Sequence, residues 1–333
     1  MPEKSQINVF VTCTSTKRFL PVGNVLLREI DGSSMRERFS KWTARIQHSR
    51  SLPQPAVDTY SGGHWSVART MNESFGGTGG AARLWIVSAG YGLISPSDAI
   101  VPYGATFTPG QPDSVSDPSG ASSAEASVAW WRILAQWRPP ALPRAAPRSI
   151  ADVVSRHPQA TNLLVLPPDY FGALLEDLRE SLHRSADPDR LIILSSDGRL
   201  HAEFPNNSIK IDARLQTHLG GARSSLGVRT VRAILGELEG RAINVESARQ
   251  AVAGLLSRHG VAKIYDRTPV ADGQVVEFVS DELSRNPSLS FTQALRRFRD
   301  AGFACEMKRF RKLFSATRDQ RRASLFARNE GAA

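Results

Sequence analysis

A short polar loop after the first apolar run carries the residue types most suited to chemistry. It reads Cys13-Thr14-Ser15-Thr16-Lys17 and offers hydroxyls, backbone donors, a thiol and one cation within five residues. Such a loop is suited to holding a phosphate or the edge of a nucleobase. It lacks the glycine spacing of a P-loop or a dinucleotide fingerprint, which argues against nucleotide triphosphate hydrolysis. Cys13 is interpreted as a nucleophile or as a packed strand-end residue, and Lys17 as a functional cation or a surface lysine.

A second candidate loop covers residues 88–103 and combines glycines, aromatic residues and one acid. Ser88 opens it, and the two glycines that flank Tyr91 allow the backbone to turn tightly. Tyr91 and Tyr103 are predicted to hold a planar ring between them, which is how flipped bases are held. Asp98 is the candidate for polarising a water or stabilising a cation; its alternative role is that of a turn former.

The cations of the chain are concentrated at its C-terminal end. Residues 288–333 carry 11 Lys and Arg against 4 Asp and Glu, whereas residues 141–287 carry 18 of each. Ser290 is predicted to cap a helix that Gly302 ends, and a second helix is predicted to bury Met307. Two helices joined by a glycine-containing turn are typical of a helix-turn-helix motif; the alternative is a solvated face. The residues expected to contact nucleic acid are Arg296, Arg297, Arg299, Lys308, Arg309, Arg311 and Lys312.

Length and composition indicate a globular protein of about two domains. The 333 residues are 41% hydrophobic and 22% charged, with a net charge of +10. No apolar run approaches the ~20 residues of a membrane helix, and the first residues do not resemble a signal peptide, so we expect a cytoplasmic protein. Cys13 and Cys305 are too few for a disulfide framework or a zinc site, and we expect no metal, cofactor or obligate protein partner.

Hydrophobic periodicity predicts strands that alternate with helices up to residue 220 and helices alone after residue 226. We therefore expect an α/β domain over residues 1–220, with a largely parallel sheet sandwiched by helices, followed by an all-α, basic domain over residues 225–333. Ligands of open α/β sheets bind beyond the carboxyl ends of the strands. The predicted strands are 7–12, 84–88, 162–166, 191–194 and 209–211; the predicted helices are 35–48, 63–75, 124–137, 170–183, 229–238, 245–257 and 275–285.

Several short motifs of the chain, taken in order, resemble the YaaA-like group, whose neighbours are the DUF6884 proteins and the CS-x-x-K domain of archaeosine-type enzymes. The resemblance covers about residues 7–200 and implies a fold similar to that of uracil-DNA glycosylases, whose strand-end loops embrace a flipped base. The motifs are Cys13-x-Ser15-x-Lys17, Tyr60 ahead of a helix, Trp-Ile-Val-Ser-Ala-Gly-Tyr-Gly-Leu-Ile at 85–94, Asp98, Pro102-Tyr103 and Pro168-Asp169-Tyr170.

The resemblance, together with the basic helices, implies an antiphage DNA glycosylase of the Brig type, which removes a modified base and leaves an abasic site. Asp98 and Lys17 would then be catalytic. His201 is interpreted as a donor to the departing base or as a surface histidine. Further pocket residues would be Cys13, Ser15, Ser88, Tyr91, Tyr103, Asp169 and Tyr170.

Two departures from these families limit the expected chemistry. The chain lacks the Lys-Pro-Tyr continuation of archaeosine enzymes and the Gly-Gln-Asp-Pro-Tyr motif of uracil-DNA glycosylases, which argues against amidine formation and against uracil as the target. Two alternatives remain open. One is a DNA-binding stress-response protein of the YaaA type without catalysis, and the other is a transglycosylase that exchanges bases in RNA or nucleosides.

Overall fold

The computed structural model describes residues 6–19, 25–76, 82–116, 120–258 and 266–330, without the side chains of residues 72–76, 308 and 322–330. The chain divides into two compact units, Met1–Ala262 and Lys263–Ala333. The predicted boundary at residues 220–225 falls inside the first unit. Within the described ranges, no helix is long and apolar enough to cross a membrane.

The first unit is an α/β fold whose elements we number in chain order. They are β1 (Ile7–Thr12), α1 (Met35–Gln47), β2 (Gln54–Pro55), α2 (Ala56–Thr59), α3 (Gly63–Gly76), β3 (Ala82–Ser88), β4 (Gly92–Ile94), β5 (Ala99–Ile100), α4 (Ser123–Gln136), α5 (Ile150–Arg156), β6 (Thr161–Val165), α6 (Pro168–Arg184), β7 (Leu191–Ser195), α7 (Gly198–Glu203), β8 (Ser208–Lys210), α8 (Arg214–Leu219), α9 (Leu226–Glu237) and α10 (Val245–Ser257).

The central sheet is mostly parallel, as the alternation of strands and helices predicts. Its strand order is β4-β3-β1-β6-β7-β8, and only the β3–β4 pair is antiparallel. The side chains of Val9, Phe10 and Val11 in β1 are at most 2% exposed. Such a run without polar alternation is expected of a parallel strand that is covered on both faces.

Eight of the helices described in the first unit form two contacting groups. One group contains α1, α4, α5 and α6, and the other contains α3, α8, α9 and α10. In the second group, α9 contacts β6 and α10 contacts β7. These two helices follow the last strand of the sheet in sequence, but their apolar faces belong to the core of the first unit.

The described residues of the second unit form three helices and one short strand pair. Its elements are β9 (Thr268–Pro269), α11 (Asp272–Arg285), α12 (Phe291–Asp300), β10 (Phe303–Ala304) and α13 (Met307–Glu330), and β9 pairs with β10 in parallel. Ser290 caps α12 by accepting from the Gln293 amide, and Gly302 has a φ of +85°, as predicted. Phe298, Phe310 and Phe314 fill the core.

Candidate functional site

The strand order places the central crevice of the sheet at the carboxyl end of β1. The chain reaches β3 on one side of β1 and later reaches β6 on the other side, so connections diverge at this point. This arrangement defines the switch point at which open α/β sheets bind their ligands. Cys13 follows β1, Ser88 ends β3, Pro167 follows β6 and Ser196 follows β7. The loops after these four strands, which include the two candidate loops at residues 13–17 and 88–103, therefore leave the same edge of the sheet.

The loop after β1 is held against the segment that precedes α3. Lys17 and Tyr60 form an antiparallel bridge, and the Ser61 amide donates to the Thr16 carbonyl at 3.1 Å. The Thr14 hydroxyl donates to the Ser61 carbonyl at 3.2 Å. Ser15, at the tip, is exposed. The loop therefore has a fixed backbone and presents the hydroxyl side chains of Ser15 and Thr16 to solvent.

The ammonium group of Lys17 lies among aromatic rings, and no carboxylate in the described part of the chain forms an ion pair with it. Its Nζ donates to the Thr14 carbonyl at 3.0 Å and lies 4.4 Å from the ring centroid of Tyr103 and 5.6 Å from that of Tyr60. Burial lowers the pKa of Lys17, and the charges of Cys13 and Asp113 oppose that effect. A lysine in such a setting loses its proton more readily than one at the surface.

Below Lys17, two tyrosine hydroxyls and a serine form a buried hydrogen-bond chain. Tyr103 Oη lies 2.7 Å from Ser88 Oγ and 2.9 Å from Tyr60 Oη. Ser88 Oγ also accepts from the amides of Gly90 and Tyr91, at 3.2 and 2.9 Å. Burial raises the pKa of both Tyr60 and Tyr103 well above its ordinary value. Both phenols are therefore neutral and position the ring faces beneath the lysine.

The predicted sandwich of a planar ligand between Tyr91 and Tyr103 is not formed. The two rings pack directly on each other, with centroids 5.4 Å apart and planes at 62°, and both side chains are at most 2% exposed. The Tyr91 hydroxyl accepts from the Val101 amide at 3.1 Å. Because the rings meet edge to face, no slot remains between them. Tyr91 is a core residue that packs against the ring of Tyr103.

The backbone at residues 89–91 is fixed by three large side chains. Trp130 Nε1 donates to the Ala89 carbonyl at 2.8 Å, and Trp42 Nε1 donates to the Gly90 carbonyl at 2.9 Å. The guanidinium of Arg148 donates to the carbonyls of Tyr91 and Leu93. These donors satisfy carbonyls that the tight turn takes out of the sheet. The sequence did not single out Trp42, Trp130 or Arg148.

Cys13 and Tyr170 connect the β1 loop to the start of α6. Cys13 Sγ lies 3.0 Å from Tyr170 Oη, and both side chains are buried. Asp169, the neighbour of Tyr170 in the first turn of α6, is only partly buried and makes no hydrogen bond or ion pair with any described residue. Among the predicted site residues, Asp169 therefore supplies a free carboxylate at the crevice.

The side chains of Asp98 and His201, both predicted to take part in the reaction, form hydrogen bonds within their own parts of the fold. The Asp98 carboxylate accepts from the Ser95 amide at 2.8 Å, so it closes its own turn, and no contact in the described part of the chain joins it to Lys17. His201 uses both ring nitrogens: Nδ1 lies 2.7 Å from Ser208 Oγ, and Nε2 lies 3.1 Å from the Ser195 carbonyl. Turn formation, the alternative role considered for Asp98, accounts for its geometry.

Asp113 is a site residue that the sequence did not reveal. It lies between the second candidate loop and α4, and the Thr106 amide donates to its carbonyl at 2.9 Å. Its carboxylate pairs with Arg28 at 2.9 Å and its charge acts on Lys17. A Cβ at Gly104 would lie 2.6 Å from this carboxylate, so the glycine gives it room. A proline and an aspartate in a turn are too common to have identified the residue.

A cavity of about 440 Å³ opens beyond the carboxyl ends of β6, β7 and β8. Its walls are mainly apolar. Pro167 and Pro168, at the start of α6, line the cavity, and Asp169 and Tyr170 follow them directly in the chain. His64, at the start of α3, also lines it. Burial lowers the pKa of His64 to about 4, so its imidazole is neutral. Within the described ranges, no cluster of His, Cys, Asp or Glu could hold a metal ion.

In the second unit, the predicted cationic residues fall into two classes. Arg297 pairs with Glu282 at 2.5 Å and Arg309 with Asp272 at 2.6 Å, so both are engaged within the unit. Arg311 is exposed and lies 4.6 Å from the ring centroid of Phe291. The remaining predicted cations are Arg296, loosely paired with Asp300 at 3.7 Å, Arg299, which is half-buried, and Lys312, which is exposed.

Two further predictions for this unit have clear outcomes. The side chain of Lys308 lies outside the described residues. Met307, predicted to point inward, is 49% exposed because it is the first residue of α13, before the helix reaches the core. The core contacts of the helix are made by Phe310 and Phe314 instead.

Comparison of the chain with known protein families, with curated proteins and with solved structures found no match in any of the three.

Proposed function

We propose that the protein hydrolyses the N-glycosidic bond of a modified nucleobase in DNA, with the reaction centred on Lys17. The observation that carries this proposal is the position of the lysine. Its amine is partly buried at the switch point of the sheet, it lies on the ring face of Tyr103, and burial lowers its pKa. Lysines activated in this way serve as nucleophiles toward carbon centres, and charged lysines donate to leaving groups.

The chemistry requires the bond between the sugar C1′ and the base nitrogen to break. The departing base takes the bonding electron pair and a proton, and the sugar develops positive charge. A carboxylate near the sugar stabilises that charge. Asp169 takes the role first assigned to Asp98, because its carboxylate is free and adjoins Tyr170 at the crevice. Water then adds to C1′ and leaves an abasic site.

If Lys17 itself attacks C1′, the products differ. The amine displaces the base, and loss of a proton and opening of the sugar give an imine that links the protein to DNA. Elimination of the 3′ phosphate from that imine then nicks the strand. The position of Lys17 is compatible with both routes, and borohydride distinguishes them because it reduces the imine to a stable adduct.

The second unit supports DNA as the substrate. Arg296 of α12 and Arg311 and Lys312 of α13 are exposed, and the last 46 residues have a net charge of +7. Cations of this kind neutralise backbone phosphates and hold a protein on DNA regardless of sequence. The resemblance to antiphage glycosylases suggests that the DNA is that of a phage with modified bases.

The test is incubation of the full chain with phage DNAs that differ in base modification, followed by mass spectrometry of released bases and an alkaline-cleavage gel. We expect one modified DNA to lose its base and to become alkali-labile. Lys17→Met and Asp169→Asn should abolish release. Asp98→Asn is the matched carboxylate control and should retain activity as long as the turn holds. The absence of free base and abasic sites across all DNAs would refute the proposal.

A non-catalytic DNA-binding protein is the second candidate, and one observation favours it. Every tyrosine of the cluster is already hydrogen-bonded within the protein, and Lys17 donates to Thr14. Unchanged DNA with tight binding would support this candidate. A base-exchanging transglycosylase would instead incorporate a labelled free base into nucleic acid.

A further inference from the structure

A glycine-rich turn leads into α9 at one end of the cavity. Gly220 and Gly221 have φ angles of +65° and +72°, which favour glycine, and they are followed by Ala222-Arg223-Ser224-Ser225. A 3₁₀ turn, Arg223–Ser225, continues directly into α9. The turn begins at Ala222, which has no side chain able to cap the first amides. A glycine-rich loop before an uncapped helix start exposes amides to a ligand.

The charges around this helix start have the sign that an anion would need. The first turn of α9 contains no acidic residue. Arg223 is exposed and makes no hydrogen bond or ion pair with any described residue. Arg229, one turn further on, donates to the Ser225 hydroxyl at 3.2 Å. Because the start of a helix carries partial positive charge, cations here are unfavourable unless an anion is bound.

The same end of the cavity contains a buried polar group that lacks a partner. His64 is 9% exposed, and its Nε2 is buried without a hydrogen-bond partner in the described part of the chain. Ser196, Arg223 and Ser224 line the cavity with it. The acidic residue given in the lining is Asp212, whose carboxylate forms an ion pair with Arg214 at 2.6 Å. An unpartnered buried imidazole costs free energy unless a ligand satisfies it.

We propose that this end of the cavity binds a phosphate group. A phosphate has several acceptor oxygens. The polar residues that line the cavity and could donate to them are His64, whose Nε2 has no partner in the described part of the chain, Arg223, Ser196 and Ser224. The apolar remainder of the cavity takes the attached nucleoside. Resting on the proposed function, we assign this phosphate to the nucleotide that carries the excised base; a free mononucleotide offers the same chemistry.

Two variants test the site without threatening the fold, since both side chains are exposed. Arg223→Ala should weaken binding of a phosphate ligand about tenfold, the effect of losing one charge-assisted hydrogen bond. Arg232→Ala, an exposed arginine of α9 outside the cavity lining, is the matched control. Ser224→Asp places a carboxylate at the helix start. It should raise the melting temperature through the helix dipole and yet lower phosphate affinity.

The measurements are calorimetric titrations of the full chain with inorganic phosphate, with a deoxymononucleotide and with a single-stranded oligonucleotide, beside the base-release assay. Binding of the mononucleotide that is lost in Arg223→Ala and retained in Arg232→Ala supports the site whether or not bases are released. Loss confined to the oligonucleotide supports a backbone phosphate as the ligand. Equal affinities of Arg223→Ala and Arg232→Ala for all three probes would overturn the phosphate site, and persistent base release would then show that the proposed function stands without it.

Discussion

Gly90 lies where the turn after β3 passes the ring of Tyr103, and its replacement by alanine perturbs the base of the lysine site directly. A Cβ at position 90 would meet Cε2 and Cδ2 of Tyr103 at 2.5 and 2.6 Å. Ordinary contact between carbon atoms is about 1 Å longer. The ring cannot withdraw freely, because its hydroxyl is held by Ser88 and Tyr60 and its edge packs on Trp42, with centroids 6.0 Å apart.

The cost of Gly90→Ala follows from these contacts. Overpacking of a filled core costs about 1–3 kcal/mol. If the ring of Tyr103 moves instead, the buried Tyr60 hydroxyl loses its partner, which costs about 1–3 kcal/mol. Either response therefore predicts a loss of roughly 1–3 kcal/mol in the free energy of unfolding. This loss corresponds to a fall of about 2–12 °C in melting temperature for a unit of this size.

Differential scanning calorimetry of the full chain, with near-ultraviolet circular dichroism of the aromatic residues, measures this change. Gly172→Ala is the matched control: it lies inside α6, nothing lies within 4 Å of the added Cβ, and alanine stabilises a helix interior by roughly 0.5–1 kcal/mol. A Gly90→Ala protein that melts at the wild-type temperature with an unchanged aromatic spectrum would refute the packing described for Tyr103.

Three further predictions concern other parts of the molecule. His64 has a folded pKa of about 4 against an ordinary 6.5, so about 3 kcal/mol of stability, present above pH 6.5, should be lost as pH falls through 4; urea unfolding of His64→Gln should lack that loss. Burial raises the pKa of Asp177, so its contribution runs the other way and stability falls as pH rises from 3.8 through the raised value; the difference between wild-type and Asp177→Asn unfolding curves should show this sign. Replacing Arg311 and Lys312 by alanine should reduce the slope of log affinity for duplex DNA against log salt by roughly 2, whereas Arg297→Ala, which removes an arginine already paired within the unit, should leave it unchanged.

The sheet could be predicted from the sequence because its strands are continuous apolar runs between polar loops. The observed strands β3, β6, β7 and β8 each lie within two residues of the predicted bounds. The end of the first unit could not be predicted in the same way. Helices after the last strand give no sign of what covers their apolar faces, and α9 and α10 lie on β6 and β7.

The candidate site was predictable in its location and less so in its details. Parallel strands oblige Cys13 and Ser88 to meet at one edge, and both do. Whether two tyrosines enclose a ligand or pack on each other depends on side-chain packing across four elements, which spacing along the chain does not encode. Asp98 illustrates the same limit, because a carboxylate that caps its own turn has the same sequence context as one that faces a crevice.

The protonation state of Lys17 decides between the two proposed chemistries, since each needs a different form of the amine. Donation to a departing base or a phosphate needs the ammonium group, whereas attack on the sugar needs the neutral amine. Burial lowers the pKa of Lys17 below its ordinary 10.5, and the charge of Asp113 partly opposes that shift. A nucleophilic lysine gives base release that rises with pH up to the lowered pKa and a borohydride-trapped adduct.

A lysine that acts as a donor gives the opposite pH dependence. Base release then falls over the same pH range, and borohydride traps no adduct. The Asp113→Asn variant distinguishes the titration of Lys17 from that of other groups. It removes a charge that raises the pKa of the lysine. In either mechanism, the rise or fall of base release with pH should therefore move to lower pH. If the pH dependence of base release is unchanged in Asp113→Asn, another group titrates over that range, and the assignment of Lys17 to the reaction is refuted.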